Sequence, residues 1–574
     1  MKRPTKITAN MLAMLLTVLL CIPVFAQKSG TETIYMQTDR TVYIAGETIL
    51  YKLYLLDAAT QKHSNLSKIG YILIRNAYQS PTIKCRVNID SGISTGSISI
   101  PDTLSSGVYQ LVAYTNLMKN KIEKPFFRNE IVILNSFDND FNFKFPVINT
   151  KSEVDSIQLP FRITTYKTIY DTREKVVVHI DKIKLKANLS VSVSEDSNIK
   201  TSNNSIVESL VKFRNQPVTK PISTNYLTER SGKIIRGRVL DTLTGDNINK
   251  AIVLLSCVDT VPNLQYAITN SNGVFQMQLS DYHEGKELFF TVRNMPANQH
   301  WKIETEDEFA QSELWKPELK GDITNYKSFL IKSQNMAYIN SCYETGNDTT
   351  ASRESSKKAI CPQFYYCSGR SILPADYTSL NDFKEIVTEL FPEININKEK
   401  GKYKVSVLNG SQRMFSNEGI AIFMDGVYVD DVEKIMKLGS EQIKKIDVLN
   451  TERVFGNLVY KGVISIITKS TEIEKTTPCS YSLRMKNDKT NSYDHYIVEK
   501  PDTTSNKTFP FLRQLLYWNP DLEIKEQEST SFEFITSDNE GIFILKIEGI
   551  TDDGQPISIR KNIQVINQSK TTEK

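Results

Sequence analysis

The chain has 574 residues and a formal charge of +4, too long for one hydrophobic core and too evenly charged for the basic footprint of a nucleic-acid binder or a protein held on anionic lipid. Length alone implies roughly three to five domains.

Lys2, Arg3 and Lys6 precede an apolar run from Met11 to Leu20, and Ile22-Pro23-Val24-Phe25-Ala26 offers the residue types a signal peptidase reads. The run is shorter than the roughly 20 residues needed to cross a bilayer. Residues 1–26 are therefore expected to be a signal peptide cleaved after Ala26, leaving 548 residues (574 minus 26) exported to the periplasm or the outer membrane. Cys21 admits a lipoprotein reading, against which Leu20 stands where a small residue is expected. No later stretch approaches the ~18 apolar residues of a membrane helix, so no membrane span of its own is expected.

Beyond the leader, period-two alternation dominates, the signature of half-buried strands. Leu189, Val191 and Val193 alternate with serines, and Phe275, Met277 and Leu279 alternate with polar residues. Turn residues at short intervals favour sandwiches with one solvated face. Helical spacing is convincing in one region. Ser379-x-x-Asp382 resembles a capping box, Leu380, Phe383, Val387 and Leu390 follow, and Pro392 stops the run. Val432, Ile435 and Met436 suggest a second short helix before Gly439.

Four blocks carry resemblances. Thr38-Asp39-Arg40, Tyr43, Gly46-Glu47, Ser106-Gly107-Val108-Tyr109 and Ala113-Tyr114-Thr115 make residues 33–135 resemble the macroglobulin-type β-sandwich of the α2-macroglobulin family. Gly46 and Gly107 are read as permitting the tight turns that launch its strands. Tyr170-Asp171-x-Arg173-Glu174 before Val176 to Ile180 loosely echoes that block, so 150–227 is expected as a second sandwich. Gly237, Val239, Asp241, Thr244-Gly245, Asn272-Gly273 and Phe275 make 231–300 resemble the carboxypeptidase-regulatory-like domain, an accessory fold that implies no peptidase activity.

Residues 301–371 read as a linking segment, partly β. In 372–472, Ile422, Asp425-Gly426-Val427, Val448-Leu449, Phe455-Gly456 and Gly462-Val463-Ile464 resemble the plug domain of TonB-dependent outer-membrane receptors. A receptor barrel takes about twenty-two strands of some ten residues, and only 104 residues follow Ser470 (574 minus 470). The chain is too short to encircle its own plug. Residues 473–570 read as a C-terminal sandwich. The fold expected is thus mainly β: tandem immunoglobulin-like or macroglobulin-like β-sandwiches plus one small α/β plug-like domain. Together the modules resemble Bacteroidota envelope proteins that string these domains without a barrel.

Signals of chemistry are weak. Gly92-Ile93-Ser94-Thr95-Gly96 matches a nucleophile elbow, but Ser97 to Ile100 continue as a strand where a helix is required. His63, His179, His283, His300 and His495 lie in different blocks, without metal-ligand spacing. Asp138-Asn139-Asp140 lacks the glycine and glutamate of a calcium loop and reads as linker. Cys342, Cys361 and Cys367 cluster in a turn-rich stretch, as free thiols or with a disulfide.

No enzymatic activity, cofactor or metal is expected. The expected role is a binding or assembly protein associated with the outer membrane, docking an outer-membrane β-barrel or another envelope protein through Asp425, Gly426, Val427, Phe455 and Gly456. The alternative is a macroglobulin-like protease inhibitor or host-interaction factor, with Thr345 to Lys358 as its cleavable bait.

Overall fold

The computed structural model describes residues 31–568 apart from short internal stretches, the longest being 139–161, 215–224, 353–360, 474–482 and 498–508. The expected signal peptide lies outside the described residues. The molecule is mainly β, built from sandwiches and one α/β unit.

The first sandwich packs a three-stranded sheet (Glu32–Thr38, Thr48–Asp57, Ile93–Ser99) against a five-stranded one, in the order Val42–Ile44, Phe127–Leu134, Gly107–Tyr114, Ile69–Arg75, Pro81–Asn88. Gly46 takes the left-handed turn at φ +95°, whereas Gly107 opens its strand with ordinary backbone. Strands Glu32–Thr38 and Thr48–Asp57 are buried on both faces. Their outer face is covered by a second sandwich, which is why clean alternation is missing there.

That second sandwich is split along the chain. Its five-stranded sheet runs Ile169–Asp171, Pro556–Ile566, Gly541–Thr551, Ala187–Glu195, Leu515–Ile524. Its three-stranded sheet runs Thr530–Ile535, Lys175–Ile180, Ile163–Thr165. The segments expected as two separate sandwiches, 150–227 and 473–570, therefore interleave in one pair of sheets around a single core that includes Val178, Val191, Phe543, Leu545 and Ile563. The physical reason is strand number: neither half alone has enough strands to close two layers over a core.

The third sandwich pairs Val274–Gln278, Ile234–Asp241 and Trp301–Thr305 in one sheet. The other contains Gln265–Ile268, Ile252–Cys257, Glu287–Arg293 and, from far beyond the expected boundary at 300, Leu483–Lys486. Asn272-Gly273 makes a local turn, with Gly273 at φ +67° and its amide donating to Asn270 O at 2.9 Å, but it closes no hairpin: Gln265–Ile268 before it and Val274–Gln278 after it lie in different sheets.

Three α-helices complete the described fold: α1 (Ile206–Arg214), α2 (Ile323–Cys342) and α3 (Phe383–Leu390). Helix α2 falls in the segment expected to be partly β. Tyr326, Phe329 and Leu330 cover Val42, Val108, Val132 and Leu134 on the outer face of the first sandwich. One turn on, Ser333 accepts from Gln514 Nε2 at 2.6 Å, and Lys332 pairs with Glu195 of the split sandwich. Helix α2 thus straps the first two bodies together. Helix α3 starts after Asp382, whose carboxylate accepts from the Glu385 amide at 2.8 Å. The N-cap is therefore Asp382 rather than Ser379. Val432–Lys434 makes one 3-10 turn in place of the second helix.

The α/β unit packs α3 on a five-stranded sheet ordered Arg370–Ile372, Ile443–Leu449, Gly462–Thr468, Ile420–Met424, Val427–Val429, beside a three-stranded sheet from Ile394 to Ser416. Its core includes Phe383, Ile386, Val427, Ile446 and Ile464. Among the described residues no helix is long and apolar enough to cross a membrane.

Candidate functional site

Asp425 and Gly426 form a two-residue hairpin turn, both with positive φ (+49° and +81°), as an Asp-Gly pair between apolar strands favours. Asp425 is 3 % exposed; its carboxylate accepts from the Thr468 amide at 2.7 Å and the Thr468 hydroxyl at 2.8 Å. The turn faces the third sandwich. Asp425 O accepts from the Asp259 amide at 3.0 Å, and a Cβ on Gly426 would come within 2.8 Å of Asp259 O. Val427 is fully buried. The hairpin Arg453–Tyr460 leans on the same body: Phe455 lies 5.9 Å from the Tyr266 ring, and Asn457 N donates to Tyr266 Oη at 2.9 Å. The structure thus brings all five sequence-selected residues to the contact between the α/β unit and the third sandwich. The side left open is the far face of that hairpin, where the cross-strand pair Val454 and Val459 is exposed.

Sequence reasoning missed two buried polar contacts. The first joins the first sandwich to the split one. Glu548 is wholly buried, accepts from Tyr35 Oη and from Ser558 Oγ at 3.2 Å, and pairs with Lys546 at 3.0 Å. Tyr54 Oη donates to Glu548 O at 3.1 Å, and Lys52, also buried, donates to Asn188 Oδ1. Nothing in the sequence signals this contact, because Lys52 reads there like any solvated strand position.

The second lies between the first and third sandwiches, around a cleft of about 330 Å³ lined by Tyr71, Lys119, Tyr226, Lys233, Arg236 and Glu308 among others. Glu229 is its hub: Oε1 accepts from Tyr71 Oη at 2.9 Å and from the Ile234 amide at 2.8 Å, while Oε2 has no hydrogen-bond partner among the described residues. Burial pushes the Glu229 carboxyl up to about 7, against the pull of Lys119 and Lys233. Burial likewise brings Lys119 down to about 8, although its ammonium sits over the Tyr226 ring at 4.8 Å. Lys233 bridges to Glu308 at 2.5 Å.

This predicts a pH response. Folded Glu229 binds its proton more readily than unfolded Glu229 between pH 4.5 and about 7, so its contribution to stability falls as pH rises through that window. Glu229→Gln keeps an acceptor for both donors and removes the charge. It is expected to raise stability at pH 8 by up to about 3 kcal/mol and to do little at pH 4.5. Denaturant titrations of both proteins at the two pH values check this; an equal effect at both would contradict it.

The remaining chemical candidates stay apart. Ser94 lies in the strand Ile93–Ser99, paired with Leu53 and buried, with no helix after it. His283 is buried, which brings its imidazole down to about 4, while His300 is exposed in another part of the third sandwich. Cys342 and Cys361 carry free thiols, and Cys367 lies outside the described residues. Among the described residues no three His, Cys, Asp or Glu side chains gather to hold a metal. Of the expected bait, Thr349–Ser352 forms a strand paired with Asp494–Ile497, and the rest lies outside the described residues.

No protein-family model matches the chain, and no curated protein matches it in sequence. Among solved structures, trypsin-activated alpha-2-macroglobulin from Escherichia coli aligns over 94% of this chain and 41% of its own, at 10% identity and a TM-score of 0.24. The same Escherichia coli protein activated by porcine elastase aligns over 94% and 44%, at 8% identity and a TM-score of 0.24. A mutant alpha-2-macroglobulin from Salmonella aligns over 94% and 40%, at 7% identity and a TM-score of 0.23. The chain spans about two fifths of the length of these structures. Likeness at that level carries no argument about what the chain does.

Proposed function

We propose that the chain is a non-enzymatic binding or assembly protein of a bacterial envelope, exported and associated with the outer membrane, that holds its α/β unit out to a β-barrel or another envelope protein. The observation that supports this is the way the modules are tied. Shared sheets, the α2 strap and buried polar contacts join four bodies, with the α/β unit closed against the third sandwich by the Asp425–Val427 turn. Such a build suits positioning a docking surface at a fixed place, and the exposed Val454 and Val459 give that surface an apolar centre.

Crosslinking of intact cells carrying the tagged chain, followed by purification under denaturing conditions, tests this reading. An envelope protein is expected among the crosslinked partners, and Val454→Lys with Val459→Lys is expected to reduce its recovery without unfolding the chain. Recovery of cytoplasmic proteins alone would overturn the proposal. Asp425 is unsuited to this test, because replacing it removes the Thr468 contacts.

A protease-inhibiting role would need cleavage within Thr345 to Lys358 to drive a large rearrangement. The pairing of Thr349–Ser352 with Asp494–Ile497 opposes this, since a protease needs an unpaired extended segment. Limited proteolysis is expected to spare Thr349–Ser352 and to leave the sedimentation coefficient unchanged; cleavage there followed by a marked compaction would favour the inhibitor instead.

A further inference from the structure

Lys52 stands mid-strand in Thr48–Asp57 with its side chain wholly buried where the first and split sandwiches meet. Its Nζ touches Asn188 Oδ1, lies 3.4 Å from Leu189 O and sits 5.0 Å from the centre of the Tyr54 ring. Burial brings the amine from 10.5 down to about 7, against the pull of Asp521 and Glu523. A large share is therefore uncharged near neutral pH, with the lone pair that makes a buried lysine a nucleophile. Asp521 completes the group. Its Oδ1 accepts from Asn188 Nδ2 at 2.6 Å and lies 3.8 Å from Lys52 Nζ. One carboxylate oxygen thus reaches both the amine that would lose a proton and the amide nitrogen that would gain one.

We propose that Lys52 and Asn188 join through an intramolecular isopeptide bond, with Asp521 as the catalytic proton carrier, locking the first sandwich covalently to the split one. The lone pair of Lys52 Nζ attacks Cγ of Asn188, and Asp521 takes the proton released from Nζ. The tetrahedral carbon then collapses, the Cγ–Nδ2 bond breaks and the proton passes from Asp521 to Nδ2, which departs as ammonia. The carboxylate is regenerated, and no oxidant or other reactant is consumed. The three residues come from strands far apart in sequence, Thr48–Asp57, Ala187–Glu195 and Leu515–Ile524. The reaction therefore waits for folding, which supplies the proximity that a slow amide exchange requires. It also needs both ends of the chain in place.

Intact-mass measurement of the purified, denatured full chain tests this. A deficit of about 17 Da, one ammonia, is expected against the mass of the processed sequence. A tryptic digest should give a branched peptide joining Lys52 to Asn188. Asn188→Ala and Lys52→Met should each restore the sequence mass. Asp521 is 57% exposed at its side chain, so Asp521→Ala should fold and form the bond roughly a hundredfold more slowly after refolding. The sequence mass with both residues in linear peptides would overturn the proposal. So would loss of ammonia with Lys52 and Asn188 both in linear peptides, since the loss then lies elsewhere, as pyroglutamate at Gln27 or as a succinimide.

Discussion

Ending the chain at Gln555 is expected to unfold the split sandwich, although it removes only the last described strand. Pro556–Ile566 pairs with Ile169–Asp171 on one side and with Gly541–Thr551 on the other. It buries Ile557, Ile559, Ile563 and Val565 in the shared core. At about 1.5–3 kcal/mol for each buried side chain, the loss is roughly 6–12 kcal/mol as an upper bound. That rivals the whole stability of an ordinary domain, about 5–15 kcal/mol. Hydrogen exchange should lose amide protection in Ala187–Glu195, hundreds of residues before the cut. Protection there equal to that of the full chain would contradict the split topology.

Glu548→Ala is the point substitution expected to cost most, about 3–5 kcal/mol. Its carboxylate accepts from Tyr35 of the first sandwich, from Ser558, and from the Ile206 amide at 3.3 Å at the start of α1. Alanine leaves a buried phenol and a buried amide without acceptors, and leaves Lys546 without its carboxylate. Glu548→Gln keeps an acceptor oxygen and should recover part of the loss. Denaturant midpoints of the three proteins give the comparison; an alanine variant within about 1 kcal/mol of the parent would mean the contact is worth little.

The expectations that held are those written in local sequence. The turn at Gly46 and the helix closed before Pro392 depend on backbone chemistry within a few residues. The fold class follows from alternation, which reports burial on one face. What alternation cannot report is a partner. Leu189, Val191 and Val193 announce a strand, yet nothing near them says that its neighbours are Gly541–Thr551 and Leu515–Ile524. Strands buried on both faces, such as Ile34 to Met36, lose alternation for the same reason.

Helix α2 escaped because its buried stripe mixes Tyr326, Phe329, Leu330 and Met336 with Ser333, and its exposed face carries Ile331 and Tyr338. The amphipathic contrast is blurred, although the three- and four-residue spacing is present.

The same limit applies to the candidate site. Asp425-Gly426-Val427 was singled out in sequence for docking, and the structure makes Asp425-Gly426 a hairpin turn. What the turn packs against is the third sandwich of the same chain, because Gly426 permits an approach to Asp259 that a side chain would block. Lys52, Asn188 and Asp521 carry no joint signal in sequence; only the meeting of three strands makes them a group.

The central claim, that Ile163–Glu195 and Leu515–Ile566 build one sandwich, is tested most directly by a disulfide between them. His179 and Ser531 face each other across the antiparallel strands Lys175–Ile180 and Thr530–Ile535. Ser531 is exposed and His179 only partly covered, so cysteines are tolerated at both. The double variant His179→Cys with Ser531→Cys should form a 179–531 disulfide under mild oxidation, found by peptide mapping, with secondary structure unchanged. A folded variant in which both thiols stay reduced, or pair only between molecules, would contradict it.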